Sequence, residues 1–129
     1  MTNVECGGIV GQKDLKERTK SFALRVIKLV EALPKGRTAN VIGNQLLRSG
    51  TSVAANYRAA SRAKSRADFI SKMGTVEEEA DESLFWMELL VETKLVDEQR
   101  LQALMNEADE ILAITVSSIK TAKSRKDQP

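Results

Sequence analysis

The chain has 129 residues, 42% hydrophobic and 29% charged, with 20 Lys/Arg against 18 Asp/Glu. That is the size and make-up of one globular domain, too apolar for a disordered chain and too interrupted by charge for a membrane span. With no histidine and a single cysteine, Cys6, the sequence excludes His-based acid–base catalysis, Ser-His and Cys-His nucleophiles, the common zinc sites and an internal disulfide.

Residues 1–12 are small, polar and aperiodic, and read as a flexible arm. Cys6 sits in it among Gly7, Gly8 and Gly11, either as a chance residue or as a reactive or metal-binding thiol. No basic stretch followed by a long apolar run opens the chain, so the expectation is a cytoplasmic protein without a signal peptide. Aromatics make up only 4% of the residues, so the core must be Leu, Ile, Val, Ala and Met. Such a core suits helices packed on helices.

Four helices are predicted, over 13–33, 38–61, 65–93 and 97–122. Leu15, Thr19, Phe22, Val26, Leu29 and Leu33 recur in three- and four-residue steps that share one helix face. Pro34 ends this first run, because it cannot continue the hydrogen-bond ladder. Thr38 is the expected N-cap of the second helix. Ile42, Leu46, Ser49, Val53, Tyr57 and Ala60 form its buried stripe. Small residues crowd that stripe, and Gly50 signals either close approach of a neighbouring backbone or a bend.

Ser65-x-x-Asp68 resembles a capping box and opens the third helix. Phe69, Met73, Val76, Ala80, Leu84, Met87 and Val91 are its apolar face, widened by Trp86 and Leu90. Asp97 caps the fourth helix, whose stripe is Leu101, Leu104, Ala108, Ile111, Thr115 and Ile119. Residues 123–129 read as a basic, disordered tail. Short connections between helices of this length predict an all-α, antiparallel, up-down-up-down four-helix bundle.

No catalytic constellation emerges. Glu77-Glu78-Glu79-Ala80-Asp81-Glu82 suggests a two-metal bundle site, but the Glu-x-x-His motif is missing and the carboxylates run around the helix. The glycines are scattered and form no phosphate-binding loop. Ser61-Arg62-Ala63-Lys64 matches a Ser-x-x-Lys pattern without its supporting motifs. The expectation is a protein that is not an enzyme and needs neither metal nor cofactor.

Charge is the informative feature. Residues 1–72 hold 14 Lys/Arg against 5 Asp/Glu, a net of +9, and residues 73–119 hold 2 against 12, a net of −10. Three readings follow. The cations Arg48, Arg58, Arg62, Lys64 and Arg66 could bind nucleic-acid phosphates. Alternatively, the basic half of one subunit meets an acidic face (Glu77, Glu78, Asp81, Glu82) of the next, head to tail. The third reading is ordinary solvated surface with ion pairs inside the chain.

The segment Gln45-Leu46-Leu47-Arg48-Ser49-Gly50-Thr51-Ser52-Val53-Ala54-Ala55-Asn56-Tyr57-Arg58-Ala59-Ala60 resembles the signature helix of the four-helix-bundle proteins, also called the ribosomal-RNA intervening-sequence protein family. Ala67–Gly74 and the acidic third helix resemble the segments that follow it. The likeness spans about 14–120 and is specific over 45–92. It implies a bundle that assembles as a homopentameric ring and has no established enzymatic activity. Some members are encoded within inserts of large-subunit ribosomal RNA genes, and a related branch serves retroelements as an accessory protein that binds nucleic acid and a reverse transcriptase. Many members have Asn-Ile-Ala-Glu-Gly where this chain has Asn56-Tyr57-Arg58-Ala59-Ala60, so no role of that glutamate carries over. The combined expectation is a homo-oligomeric nucleic-acid-binding protein away from membranes, with an interaction scaffold for a protein partner as the alternative.

Overall fold

The computed structural model describes the backbone of residues 7–125 and the side chains of residues 15–125. It is all-α, with helices α1 (Gly7–Glu31), α2 (Arg37–Ser61), α3 (Arg66–Glu92) and α4 (Glu98–Ser124). Each is 25 or 27 residues long, which makes rods of roughly 40 Å at ~1.5 Å per residue. Consecutive helices run antiparallel and α4 returns to α1, so the four form a bundle.

The apolar stripes supply the core. Leu15, Phe22 and Val26 of α1 meet Ile42, Leu46, Val53 and Tyr57 of α2, with Met73, Val76, Met87 and Leu90 of α3 and Leu101, Leu104 and Ile111 of α4 closing it. Among the described residues four buried polar side chains interrupt this core, and each is satisfied. Thr19 Oγ1 donates to the Leu15 carbonyl and Thr115 Oγ1 to the Ile111 carbonyl, both at 2.7 Å. Ser49 and Ser83 share a hydrogen bond across the α2–α3 seam at 2.9 Å. Hydroxyls returned to their own helix cost little on burial, because no donor is stranded.

Small residues set the helix spacings. A Cβ built on Gly50 would lie 2.8 Å from Val26 Cγ1, and one on Gly43 3.0 Å from Leu33 Cδ1. Gly50 is therefore a close-approach residue within an unbroken α2.

The helix ends correct several expectations. Helix α2 begins at Arg37 after Gly36, whose φ of 153° is a conformation glycine adopts readily. Thr38 therefore lies inside the helix, two residues too late to cap it. Ser65 does cap α3, accepting from the Asp68 N–H at 3.0 Å, while the Asp68 carboxylate reaches past it to the Lys64 N–H at 3.3 Å. Asp97 is the N-cap of α4, without a side-chain cap bond.

After α3 the chain turns through Lys94 at φ 64°, with Leu95 N–H bonded to the Leu90 carbonyl and Lys94 N–H to Val91. This is a Schellman motif with lysine in the place usually taken by glycine. Helix α1 starts at Gly7, inside the stretch read as an arm. Its glycines weaken a helix without preventing propagation from the packed stripe downstream. Helix α4 likewise runs to Ser124, two residues beyond its expected end. Cys6 and residues 126–129 lie outside the described residues.

Candidate functional site

Antiparallel threading decides which charges share an end of the bundle. The start of α1, the end of α2, the α2–α3 turn and the end of α4 come together. A hydrogen bond from Arg66 Nη1 to the Arg125 carbonyl, 2.7 Å, ties the start of α3 to the last residue described after α4. This end collects Lys16 and Lys20 from α1, Arg58 from α2 and Arg62 from its cap, Lys64 from the turn, Arg66 from the start of α3, and Lys120, Lys123 and Arg125 from α4 and its cap. Among the described side chains Glu17 and Asp68 are the acids near it, and Asp68 is bonded to Lys72.

The side of this end contains a groove of about 410 Å³ between α1 and α2. Lys16 and Lys20 form one wall, Arg58 and Arg62 the other, and Thr19, Ala54 and Ala55 line it between them. All four cations are solvent-exposed. Among the described residues none of the four forms an ion pair, and no carboxylate lines the groove. Tyr57 contributes to the lining but is 97% buried as a residue, being 3% exposed. Burial pushes its phenol above the ordinary range, so it stays neutral there.

The sequence-derived cations therefore separate. Arg58 and Arg62 enter the groove, and Lys64 lies exposed in the adjoining turn. Arg66 is engaged in holding α4. Arg48 stands about 15 Å up α2 from Arg58, where its Nη1 meets Glu79 at 3.1 Å and its Nη2 meets Glu82. The Glu82 contact, then Glu79, holds the Arg48 guanidinium above its ordinary pKa. Lys16 and Lys20 were not among the sequence candidates. Their i, i+4 spacing on the flank of the Leu15–Thr19 stripe was visible, but the helix they face was not.

The acidic candidates also divide. Glu82 is committed to Arg48 and accepts from Trp86 Nε1 at 3.0 Å, and these contacts hold its carboxyl below the usual range. Glu77 is half-buried, whereas Glu78 and Asp81 are exposed. Exposed Phe85 lies on the same side of α3, one turn beyond Asp81. A second intramolecular pairing, Arg18 with Glu107 at 2.8 Å and Glu110 at 2.7 Å, joins α1 to α4. Part of the charge polarity is thus neutralised within one chain.

Among the described residues no group of three or more Cys, Asp or Glu is placed to hold a metal ion, and no helix is long and apolar enough to cross a membrane.

Fold and surface together define a small helical-bundle protein with a cation-lined end. The model of the 23S rRNA-intervening sequence protein family matches residues 12–117, and the chain belongs to that family. A crystal structure of a protein of unknown function from the S23 ribosomal protein family of Bacteroides thetaiotaomicron is similar, with 36% identity and a TM-score of 0.81. The match covers 85% of this chain and 98% of that one. No curated protein matches the chain.

Proposed function

We propose that this protein is a non-enzymatic, homo-oligomeric binder of nucleic acid that contacts phosphates through the basic end of its bundle. One observation carries the reading: Lys16, Lys20, Arg58 and Arg62 face one groove without a carboxylate among its described lining residues. Cations gathered in one groove create a positive potential that a polyanion neutralises with release of counterions. The family, defined on proteins of ribosomal-RNA intervening sequences, is in keeping with such a ligand. A pentameric ring with this end left open fits the same reading. The chain's aromatic content is 4%, so base stacking contributes little and affinity depends on backbone charge.

The test is a salt series of fluorescence-anisotropy titrations with labelled RNA and DNA. Affinity should fall steeply with salt, and the triple variant R62A/K64A/R66A should bind at least about tenfold more weakly. Affinity that ignores both salt and those substitutions overturns the proposal.

A second reading, self-assembly or docking of a protein partner, has its own support. Phe85 is 48% exposed beside Glu78 and Asp81 on α3, a combination suited to a basic partner surface with an apolar centre. The mass of the intact assembly, compared between the native chain and Phe85→Ser, tests it. A native monomer at micromolar concentration rejects the oligomer, and an unchanged assembly in the variant removes Phe85 from the contact.

A further inference from the structure

The groove differs from a merely basic surface in being concave and narrow. Lys16 and Lys20 are one helical turn, about 6 Å, apart on α1. Arg58 of α2 stands four residues before Arg62 at that helix's C-cap, so each wall presents two neighbouring cations. Between them lie Thr19, Ala54 and Ala55, while Tyr57, itself buried, and Ser61, whose hydroxyl is spent on the Arg58 carbonyl, complete the lining. Thr19 is buried and its hydroxyl is spent on the Leu15 carbonyl. The space therefore offers charge at its walls and little polar competition between them.

Its volume of about 410 Å³ falls in the range of sites that enclose a small-molecule-sized group. A nucleic-acid duplex presents its phosphates on the outside of a stiff rod and can lay them only across the rim. An unpaired strand is flexible enough to lower one sugar–phosphate unit between the walls.

We infer that the α1–α2 groove is a single-strand site, in which Lys16, Lys20, Arg58 and Arg62 clasp the backbone phosphates of unpaired RNA or DNA and from which duplex is excluded. The inference rests on the phosphate-binding reading of this end and adds to it the strandedness of the ligand and the two lysines of α1. Half of the site thus comes from a helix outside the basic 58–66 segment. The 2′-hydroxyl has no dedicated partner in this scheme, so RNA and DNA of one sequence bind alike.

The experiment uses the full chain and a labelled oligonucleotide, presented as single-stranded RNA, single-stranded DNA and the same strands annealed to their complements. Each is titrated over a range of salt. The expected result is at least about tenfold tighter binding of either single strand than of its duplex. K16A/K20A should lower single-strand affinity about tenfold or more. It should also reduce the salt slope by about 1.4, since each phosphate contact on a single strand contributes about 0.7.

Ala55→Leu supplies a steric arm. It adds bulk at an exposed lining position and leaves every charge in place, so it should weaken single-strand binding if the groove is occupied and do nothing if the surface field alone acts. Circular dichroism melts verify that both variants are folded.

Equal or tighter duplex binding overturns the inference, as does single-strand binding indifferent to K16A/K20A and Ala55→Leu. In those cases loss of binding in R62A/K64A/R66A leaves the broader proposal standing. Absence of binding to every oligonucleotide overturns both. A change of assembly mass in K16A/K20A, with nucleic-acid binding unaltered, assigns the groove to a subunit contact and overturns the inference as well.

Discussion

Gly50 of α2 and Val26 of α1 approach so closely that a Cβ at position 50 would come within 2.8 Å of one Val26 methyl and 2.9 Å of the other. Val26 is wholly buried and β-branched, so it has no easy rotamer escape. Gly50→Ala should gain up to about 1 kcal/mol in helix propensity and lose about 1–3 kcal/mol to overpacking. The expected net is destabilisation of about 1 kcal/mol, read from urea unfolding. An unchanged or raised midpoint would show that the α1–α2 spacing relaxes freely.

The Ser49–Ser83 pair links α2 to α3 inside the core. Ser83→Ala leaves the Ser49 hydroxyl only a long, 3.3 Å bond to the Leu46 carbonyl, at a cost of about 1 kcal/mol. S49A/S83A removes both polar groups and should cost less than the two single changes added together. A double-mutant cycle measures that coupling, and strict additivity would argue against the pair as a unit.

Lys94 holds a left-handed conformation at the end of α3. A side chain there costs roughly 1 kcal/mol relative to glycine. Lys94→Gly should therefore raise stability by about that amount, with Leu95 still packed partly against the core. Thermal melts decide it, and a lowered midpoint contradicts the strain argument.

Acid sensitivity follows from Glu82 and Asp68. Arg48, then Trp86, lowers the folded-state pKa of Glu82, while Lys72, then the Lys64 N–H, lowers that of Asp68. A carboxyl depressed on folding stabilises the protein above its unfolded pKa of about 4 and loses that contribution as pH falls through the folded value. Stability should decline from about pH 5 downward, less steeply in Glu82→Gln and in Arg48→Ala, because each removes this linkage. Urea midpoints between pH 7 and 3 test it, and parallel curves for all three proteins would exclude the Arg48–Glu82 contribution. Arg48→Ala should leave nucleic-acid affinity nearly unchanged, in contrast with Arg62→Ala, because Arg48 lies away from the groove and is already paired.

The helices could be read along the chain because each stripe repeats with the helical period. All six positions assigned to the α2 stripe, from Ile42 to Ala60, are buried. Boundaries were harder. The Thr38 cap failed because the backbone reversal at Gly36 outranks a favourable side chain at the second position of the helix. The glycines near the start of α1 concealed helical backbone because local propensity is weaker than propagation from a packed stripe.

The charged surface was less readable. Summed along the sequence, Arg48 and Arg62 look equivalent, yet one is neutralised by Glu79 and Glu82 on α3 and the other opens into the groove. Nothing in the sequence distinguishes Lys16 and Lys20 from other cations, and the packing of α2 beside them makes them one wall of the groove.

Periodicity along the chain was sufficient for the four amphipathic helices, because burial is settled residue by residue at a 3.6-residue repeat, and the short connections between them set their antiparallel order. Which cations meet carboxylates and which stay free depends on helix rotation and on the spacing that Gly50, Gly43 and the Ser49–Ser83 pair permit. Those are properties of pairs of helices, and attraction between charges falls with distances that exist only once the helices have packed.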